Sequence, residues 1–308
     1  MSSLIEKAAQ RLEQLRQAGA DMPAPPPAEA PTPAAAVVAK PAMTREAAKP
    51  PVSKAVRIDL EALREAGFVT PNAPRAAIAD QYRVIKRPLI ANATGKGASV
   101  VPYGNRIMVT SAMPGEGKSF TAINLAMSIA MELDYTVLLV DADVSRPSLM
   151  KTLGLRPGPG LLDLLTNDKM EMSDTLLRTN VDKLSLLPSG TPHPRATELL
   201  ASDAMTALIE EMGHRYPDRI IIFDSPPLLL TTESRVLATH MGQIVVVVQA
   251  EKTLQSQVKH ALTTIESCPI KLMVLNQVHG GDQDAYGYGY GYGQGMPNEA
   301  SAAEATPA

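Results

Sequence analysis

Short apolar runs alternate with stretches of helical periodicity along the central part of the chain. The apolar runs predict buried strands, and they lie at 106–111, 136–143, 183–189, 219–227, 243–250 and 271–278. Between them, the helical pattern covers 118–133, 198–214 and about 254–266. Strands that alternate with helices indicate an α/β fold with a doubly wound parallel sheet. In such a sheet, ligands bind at the carboxyl ends of the strands.

The segments that flank this core have different patterns. Residues 1–20 predict an amphipathic helix with Leu4, Leu12 and Leu15 on one face, suited to docking on a protein partner. Residues 21–56 hold nine Pro and eleven Ala and predict a disordered linker. The folded domain is expected to span 57–279. Residues 280–308 are rich in glycine and predict a disordered tail.

Two helices are predicted between the linker and the first strand of the core. The first covers 58–67, and the second covers 76–90. In the second, one side carries the apolar residues Ile78, Tyr82, Ile85 and Leu89.

Composition narrows the possible locations and partners. The formal net charge of −3 gives no general attraction to nucleic acid. Cys268 is the single cysteine, which excludes an intramolecular disulfide. The chain begins without a signal-peptide pattern, and no apolar run approaches the roughly 20 residues that cross a bilayer. We therefore expect a cytoplasmic protein that reaches the inner membrane only through a partner.

The segment "SAMPGEGKS" at 111–119 joins a predicted strand to a predicted helix. Glycines in such a loop let backbone amides approach a phosphate, and the helix N-terminus attracts anions. A lysine followed by a serine suits the phosphates and Mg²⁺ of a bound nucleotide, although Ala112 replaces the usual first glycine. The predicted ATP contacts are Pro114, Gly115, Glu116, Gly117, Lys118, Ser119 and Phe120.

Carboxylates follow two of the other predicted strands. Asp141 and Asp143 end one strand, and Asp224 ends another. Three carboxylates at the phosphate-binding edge of a sheet can organise Mg²⁺ and orient or deprotonate an incoming hydroxyl.

"SAMPGEGKS", "VLLVDADVSRPSL" and "IIIFDSPPLLLTTES" resemble the Walker A, A′ and B segments of the bacterial tyrosine kinases. The tail adds their C-terminal tyrosine cluster, here Tyr286, Tyr288, Tyr290 and Tyr292. The resemblance covers about 76–292 and is most similar to the branch associated with exopolysaccharide loci. It implies a P-loop fold and an ATP- and Mg²⁺-dependent autokinase that regulates exopolysaccharide polymerisation or export.

By this resemblance, Lys118 and Ser119 serve the phosphates and the metal, and Asp141 is the general base. Asp143 and Asp224 organise the metal with Ser119, and Asn276 resembles the adenine-reading residue of related ATPases. The implied partners are other copies of the chain, which receive the tail in trans, a membrane polysaccharide co-polymerase that activates the kinase, and a tyrosine phosphatase.

Two segments depart from the family pattern. Ser145 stands where an arginine is usual, and the family's ExxRxxR subunit-contact helix reduces here to Asp80, Arg83 and Lys86. A solvated basic helix face is the alternative interpretation of those residues. A nucleotide-switched scaffold without kinase turnover, or a partitioning-type ATPase, is the alternative function. Met113 occupies the position of the signature lysine of partitioning ATPases, which argues against the latter.

Overall fold

The computed structural model describes residues 54–214 and 218–278. These residues form a single sheet, and its strands in chain order are β1 (Lys54–Ala55), β2 (Arg106–Ser111), β3 (Thr136–Asp141), β4 (Leu177–Arg178), β5 (Leu184–Leu187), β6 (Arg219–Asp224), β7 (Gln243–Gln249) and β8 (Ile270–Asn276). Their spatial order is β1-β4-β5-β3-β6-β2-β7-β8. All pairs are parallel except β4 with β5.

The longer helices follow the predicted pattern. They are α1 (Leu60–Glu65), α2 (Ala77–Ala93), α3 (Lys118–Ala130), α8 (Asp203–His214) and α10 (Gln255–Thr263). Short helices fill the connections, namely α4 (Leu149–Thr152), α5 (Leu161–Thr166), α6 (Met172–Thr175), α7 (Ala196–Leu200) and α9 (Glu233–Ala238).

The core has two layers, one on each face of the sheet. Along β3, Val137 and Leu139 pack into the layer that contains α1, α2 and α3, whereas Leu138 and Val140 pack into the opposite layer with α8 and α9. The same alternation runs through β2, β6 and β7. Because both faces are covered, these strands read as continuous apolar runs. The doubly wound α/β fold is confirmed.

Every predicted core strand is present, and the strand predicted at 106–111 matches β2 at both ends. The predicted helix over 198–214 is divided, since α7 ends at Leu200 and α8 begins at Asp203. The α2 prediction is also confirmed: Tyr82 and Leu89 are buried, and Ile78 and Ile85 pack against the same layer.

The domain boundary predicted at residue 57 lies just after β1, the first strand of the sheet. Lys54–Ala55 pair with β4, and the N–H of Val56 donates to the carbonyl of Arg178 at 2.8 Å. The last residues of the predicted linker therefore belong to the folded domain. The pattern missed this edge because strands of two residues leave no periodicity to detect.

The predictions for 1–20, for most of 21–56 and for the tail lie outside the described residues. Within the described ranges, no helix is both long and apolar enough to cross a membrane.

Candidate active site

The loop between β2 and α3 is shaped by two glycines. Gly115 and Gly117 both have left-handed backbone angles, with φ of 84° and 95°. A side chain at Gly117 would also collide with the amide nitrogen of Asn276. Position 117 therefore favours glycine for its left-handed conformation, and a side chain there would displace the Asn276 amide. The loop delivers Lys118 and Ser119 to the first turn of α3.

Lys118 forms an ion pair with one of the predicted carboxylates. Its Nζ lies 3.0 Å from Oδ2 of Asp143, and both side chains are largely buried. The other oxygen of Asp143 accepts the N–H of Arg146 at 3.1 Å. Asp143 is thus held in place beside the loop by a charge and a backbone donor.

Asp141 and Asp224 are direct register partners at the ends of β3 and β6. Alternation along the strands places both on the face that carries α3. Both side chains are buried. Oδ2 of Asp141 accepts the N–H of Leu149 at 3.2 Å, but its Oδ1 and both oxygens of Asp224 have no hydrogen-bond partner of ordinary geometry among the described residues.

The pKa values of these two carboxyls are both raised. Burial, reinforced by the charge of Asp224, raises the pKa of Asp141 to about 7, although the N–H of Leu149 opposes the rise. Burial also raises the pKa of Asp224 to about 7, against the opposing effects of Ser119 and Lys118. Buried carboxylates without donors favour a cation or a proton.

These residues fit a magnesium–phosphate ligand. Three buried carboxylate oxygens lack donors, and the hydroxyl of Ser119 lies at the helix start, where it accepts a hydrogen bond from Ser148 at 3.0 Å. Among the described residues, no three acidic, histidine or cysteine side chains are arranged as a metal cage. Mg²⁺ commonly binds one or two carboxylates together with phosphate and water.

The other predicted loop residues divide into two groups. Pro114 and Gly115 are exposed on the loop. Glu116 is buried beneath it, where Oε2 accepts the N–H of Met113 at 2.6 Å. Phe120 packs against Phe68 with ring centroids 4.8 Å apart and ring planes tilted by 49°.

Asn276 lies at the end of β8, against the back of the loop. Its Nδ2 donates to the carbonyl of Glu116 at 3.0 Å. The next residue, Gln277, donates to the carbonyl of Gly115 at 3.2 Å. Thr253 donates its hydroxyl to the carboxylate of Glu116. Sequence reasoning missed Gln277 and Thr253, because neither belongs to a recognisable motif and both reach the loop only through folding.

The predicted subunit-contact residues on α2 separate in the structure. Asp80 and Arg83 are exposed and pair with each other. Lys86 is buried, with Nζ 2.7 Å from Oε1 of Glu132 and 2.6 Å from the carbonyl of Ser128. The alternative of a solvated basic face is therefore wrong for Lys86. Its ammonium is also not available to a second subunit, which leaves Asp80 and Arg83 for that role.

Ser145, which replaces the usual arginine, is tied to the neighbouring elements. Its hydroxyl donates to Oε1 of Glu233 at 3.3 Å, and the hydroxyl of Thr197 donates to the same oxygen at 2.9 Å. The loop after β3 is thereby linked to α7 and α9.

Comparison with known proteins agrees with this geometry. Residues 104–275 match the family described as an AAA domain. The chain is 34% identical over 200 residues to tyrosine-protein kinase YwqD of Bacillus subtilis. The matched segment covers 65% of this chain and 80% of that protein. It is 32% identical over 194 residues to tyrosine-protein kinase CpsD of Streptococcus agalactiae, covering 59% and 82% of the two chains.

A solved structure of a tyrosine-kinase domain also matches this chain. The kinase domain of the Escherichia coli tyrosine kinase ETK superposes with a TM-score of 0.54 at 29% identity, over 61% of this chain and 73% of that one. The chain has a P-loop beside buried carboxylates, on a fold that it shares with these enzymes. It therefore belongs to the bacterial protein-tyrosine kinases, within the AAA domain family.

Proposed function

We propose that this kinase uses Mg·ATP to phosphorylate its own C-terminal tyrosines, Tyr286, Tyr288, Tyr290 and Tyr292. The observation that carries the proposal is the meeting of Lys118 with Asp141, Asp143 and Asp224 at one edge of the sheet. Phosphoryl transfer depends mainly on positioning and charge stabilisation, and this edge offers both.

In this proposal, the amides of Gly115–Ser119 and the ammonium of Lys118 hold the nucleotide phosphates. Ser119, Asp143 and Asp224 hold Mg²⁺, which when bound neutralises phosphate charge. Phe120 and Pro114 contact the nucleotide. A contact between Asn276 and the adenine base stays a prediction. The ion pair between Lys118 and Asp143 holds the lysine ammonium beside the end of β3.

Asp141 is the proposed base for the tyrosine hydroxyl. A tyrosine has an ordinary pKa near 10. A carboxylate whose pKa is raised to about 7 is a better acceptor for that proton than an ordinary aspartate. Its Oδ1 has no donor among the described residues and is free to accept the hydroxyl hydrogen.

The tail acts in trans between copies of the chain. Strict alternation of glycine with tyrosine lets the segment enter a neighbour's site with little steric cost. Each phosphate adds about −1.5 to −2 charge, so a modified tail is repelled by a carboxylate-lined site. Unmodified tails would favour an oligomer supported by Asp80 and Arg83, and modified tails would release it.

The wider role in this proposal is regulation of exopolysaccharide polymerisation or export. A membrane co-polymerase would activate the kinase and recruit it from the cytoplasm to the inner membrane, and a tyrosine phosphatase would reset the tail. Residues 1–20 would contact the co-polymerase, and the linker up to residue 53 would set the distance the domain can reach. The kinase domain would end near residue 279, and 280–308 would be the substrate tail.

The test is mass spectrometry of the purified full chain after incubation with Mg·ATP. We expect phosphate on the tail tyrosines of the wild type and of Lys169→Met, which alters an exposed lysine, and none on Lys118→Met. If tails stay unmodified in a wild type that binds ATP, the reaction is repeated with the membrane co-polymerase added. Tails that are still unmodified would overturn the autokinase in favour of the nucleotide-switched scaffold.

Transfer between copies has its own test. A chain with all four tail tyrosines changed to Phe is mixed with Lys118→Met, so that only the first has a working site and only the second has acceptors. Phosphate on the Lys118→Met tail establishes transfer in trans. Its absence, with an active wild type, would limit the reaction to a single copy.

A further inference from the structure

The phosphate-binding loop is held from behind by side chains that no motif includes. Beneath the loop, Glu116 is only 2% exposed, and its carboxylate joins two elements. One oxygen accepts the N–H of Met113 within the loop at 2.6 Å. The other accepts the hydroxyl of Thr253, from the turn between β7 and α10.

Thr253 is itself fixed in that turn. Its hydroxyl oxygen accepts the N–H of Gln249 at 3.2 Å, and its own N–H donates to the carbonyl of Gln249 at 3.2 Å. The hydroxyl therefore has a single direction left for its proton, which is towards Glu116. A serine could make the same contacts, whereas a valine of the same shape could not.

The end of β8 supplies the second support. Asn276 donates to the carbonyl of Glu116 at 3.0 Å, and Gln277 donates to the carbonyl of Gly115 at 3.2 Å. Gln277 adopts a left-handed φ of 58° and accepts the side-chain amide of Gln249 at 2.6 Å. A residue other than glycine enters this region at a cost, so the contacts around Gln277 hold it there.

These contacts determine where the loop's donors point. In a planar trans peptide, the C=O and the following N–H point in opposite directions. When Asn276 and Gln277 hold the carbonyls of residues 116 and 115 from behind, the N–H groups of residues 117 and 116 are directed away from β8. Those are the groups that a glycine-rich loop offers to a phosphate.

We propose that Thr253 and Asn276 are positioning residues of the phosphate site, acting through Glu116 and the loop backbone. The proposal rests on the proposed nucleotide function and deepens it. It also gives Asn276 a role distinct from adenine reading, because a residue that orients the loop contributes to binding of any phosphate chain, with or without a base. Gln277 is exposed, so its contribution is smaller.

The test compares isosteric variants of the full chain: Thr253→Val and Asn276→Asp, each lacking the donor, with Thr253→Ser as rescue. Thr263→Val is the matched control, because it removes an exposed hydroxyl at the far end of α10. Affinities are measured by displacement of a fluorescent ADP analogue with ADP and with inorganic pyrophosphate, and the melting temperature reports folding.

We expect Thr253→Val and Asn276→Asp to bind both ADP and pyrophosphate about 5- to 10-fold more weakly. We expect KM for ATP to rise by a similar factor while kcat changes less than about twofold. Thr253→Ser and Thr263→Val should match the wild type, and all variants should melt cooperatively.

Affinities within about twofold of the wild type for both variants would overturn the proposal. If Asn276→Asp weakens ADP but not pyrophosphate, Asn276 reads the base and does not position the loop. If Thr253→Ser binds as weakly as Thr253→Val, the hydroxyl is not the determinant. A wild type that binds neither ligand would overturn the nucleotide site itself, and with it this proposal.

Discussion

Two clusters of buried charge lie on the α3 side of the sheet, and they are built in opposite ways. Around Lys86, the ammonium meets Glu132 at 2.7 Å and the carbonyl of Ser128 at 2.6 Å. At the ends of β3 and β6, Asp141 and Asp224 lie side by side, and three of their four oxygens have no hydrogen-bond donor among the described residues.

This difference distinguishes a structural charge from a functional one. A buried charge with its partner present stabilises the fold or is neutral, whereas buried like charges without donors destabilise it until a ligand or a proton arrives. The raised pKa values of Asp141 and Asp224 express that cost. In the proposed function, this edge is kept ready for a cation at the expense of stability in the free protein.

The largest expected effect comes from breaking the satisfied cluster. Glu132→Ala leaves the Lys86 ammonium buried with a single carbonyl, and we expect it to lower the free energy of unfolding by about 3 kcal/mol. Urea denaturation at neutral pH measures this. Arg87, 64% exposed, touches the same carboxylate at 3.3 Å, so Arg87→Ala should cost less than about 0.5 kcal/mol.

The double variant Lys86→Met with Glu132→Ala should recover most of that loss, because it removes both charges. A loss below about 1 kcal/mol in the single variant would show that Glu132 is not what stabilises the buried lysine.

A stabilising substitution is expected at the cluster of Asp141 and Asp224. Asp224→Asn removes a charge for which the cost of burial outweighs the effects of Ser119 and Lys118. It should therefore raise the free energy of unfolding at pH 8 by about 1–3 kcal/mol while reducing kinase activity at least 100-fold. Denaturation without nucleotide and an autophosphorylation assay measure the two effects.

Asp163 is the matched control for that variant. Its carboxylate is partly buried, which raises the pKa, but hydrogen bonds from Thr191 and Gly160 outweigh burial and hold the pKa below its ordinary value. Asp163→Asn should therefore destabilise, by about 1–2 kcal/mol. Stabilisation by both variants, or by neither, would contradict the distinction between the two carboxylates.

The stability of the free wild type should depend on pH. Because the folded pKa of Asp141 and Asp224 is near 7 and the unfolded value is near 3.8, the folded state binds more protons between those values. The free energy of unfolding should then fall as pH rises from about 4 to 7. Urea midpoints across this range measure the slope, which should be shallower in Asp224→Asn than in the wild type.

The smallest effect on stability is expected at the exposed pair on α2. Asp80→Ala and Arg83→Ala should each change the free energy of unfolding by less than about 0.5 kcal/mol. If the pair supports assembly, either variant should shift the unphosphorylated protein to smaller species in light scattering after gel filtration. An unchanged mass in both would remove α2 from the proposed subunit contact.

Patterns that recur over several residues were predictable from the sequence. Runs such as 136–143 and 243–250 are apolar at every position, which indicates strands covered on both faces. The loop "SAMPGEGKS" was recognisable because glycine, lysine and serine must follow one another for phosphate to bind. Short elements such as β1, β4 and α9 carry too few residues to produce a signal.

What the sequence alone determined is therefore the succession of strands and helices and the residues at the ends of the strands, since parallel strands bring their carboxyl ends to one edge. Only the tertiary structure decided which buried charges find partners. Lys86 and Asp224 look alike in the sequence as polar residues beside apolar ones. The turn after α3 brings Glu132 to Lys86, whereas neither oxygen of Asp224 has a hydrogen bond of ordinary geometry among the described residues. The support of the loop by Thr253 and Asn276 arose in the same way, because contacts between residues more than 130 positions apart depend on packing and not on local pattern.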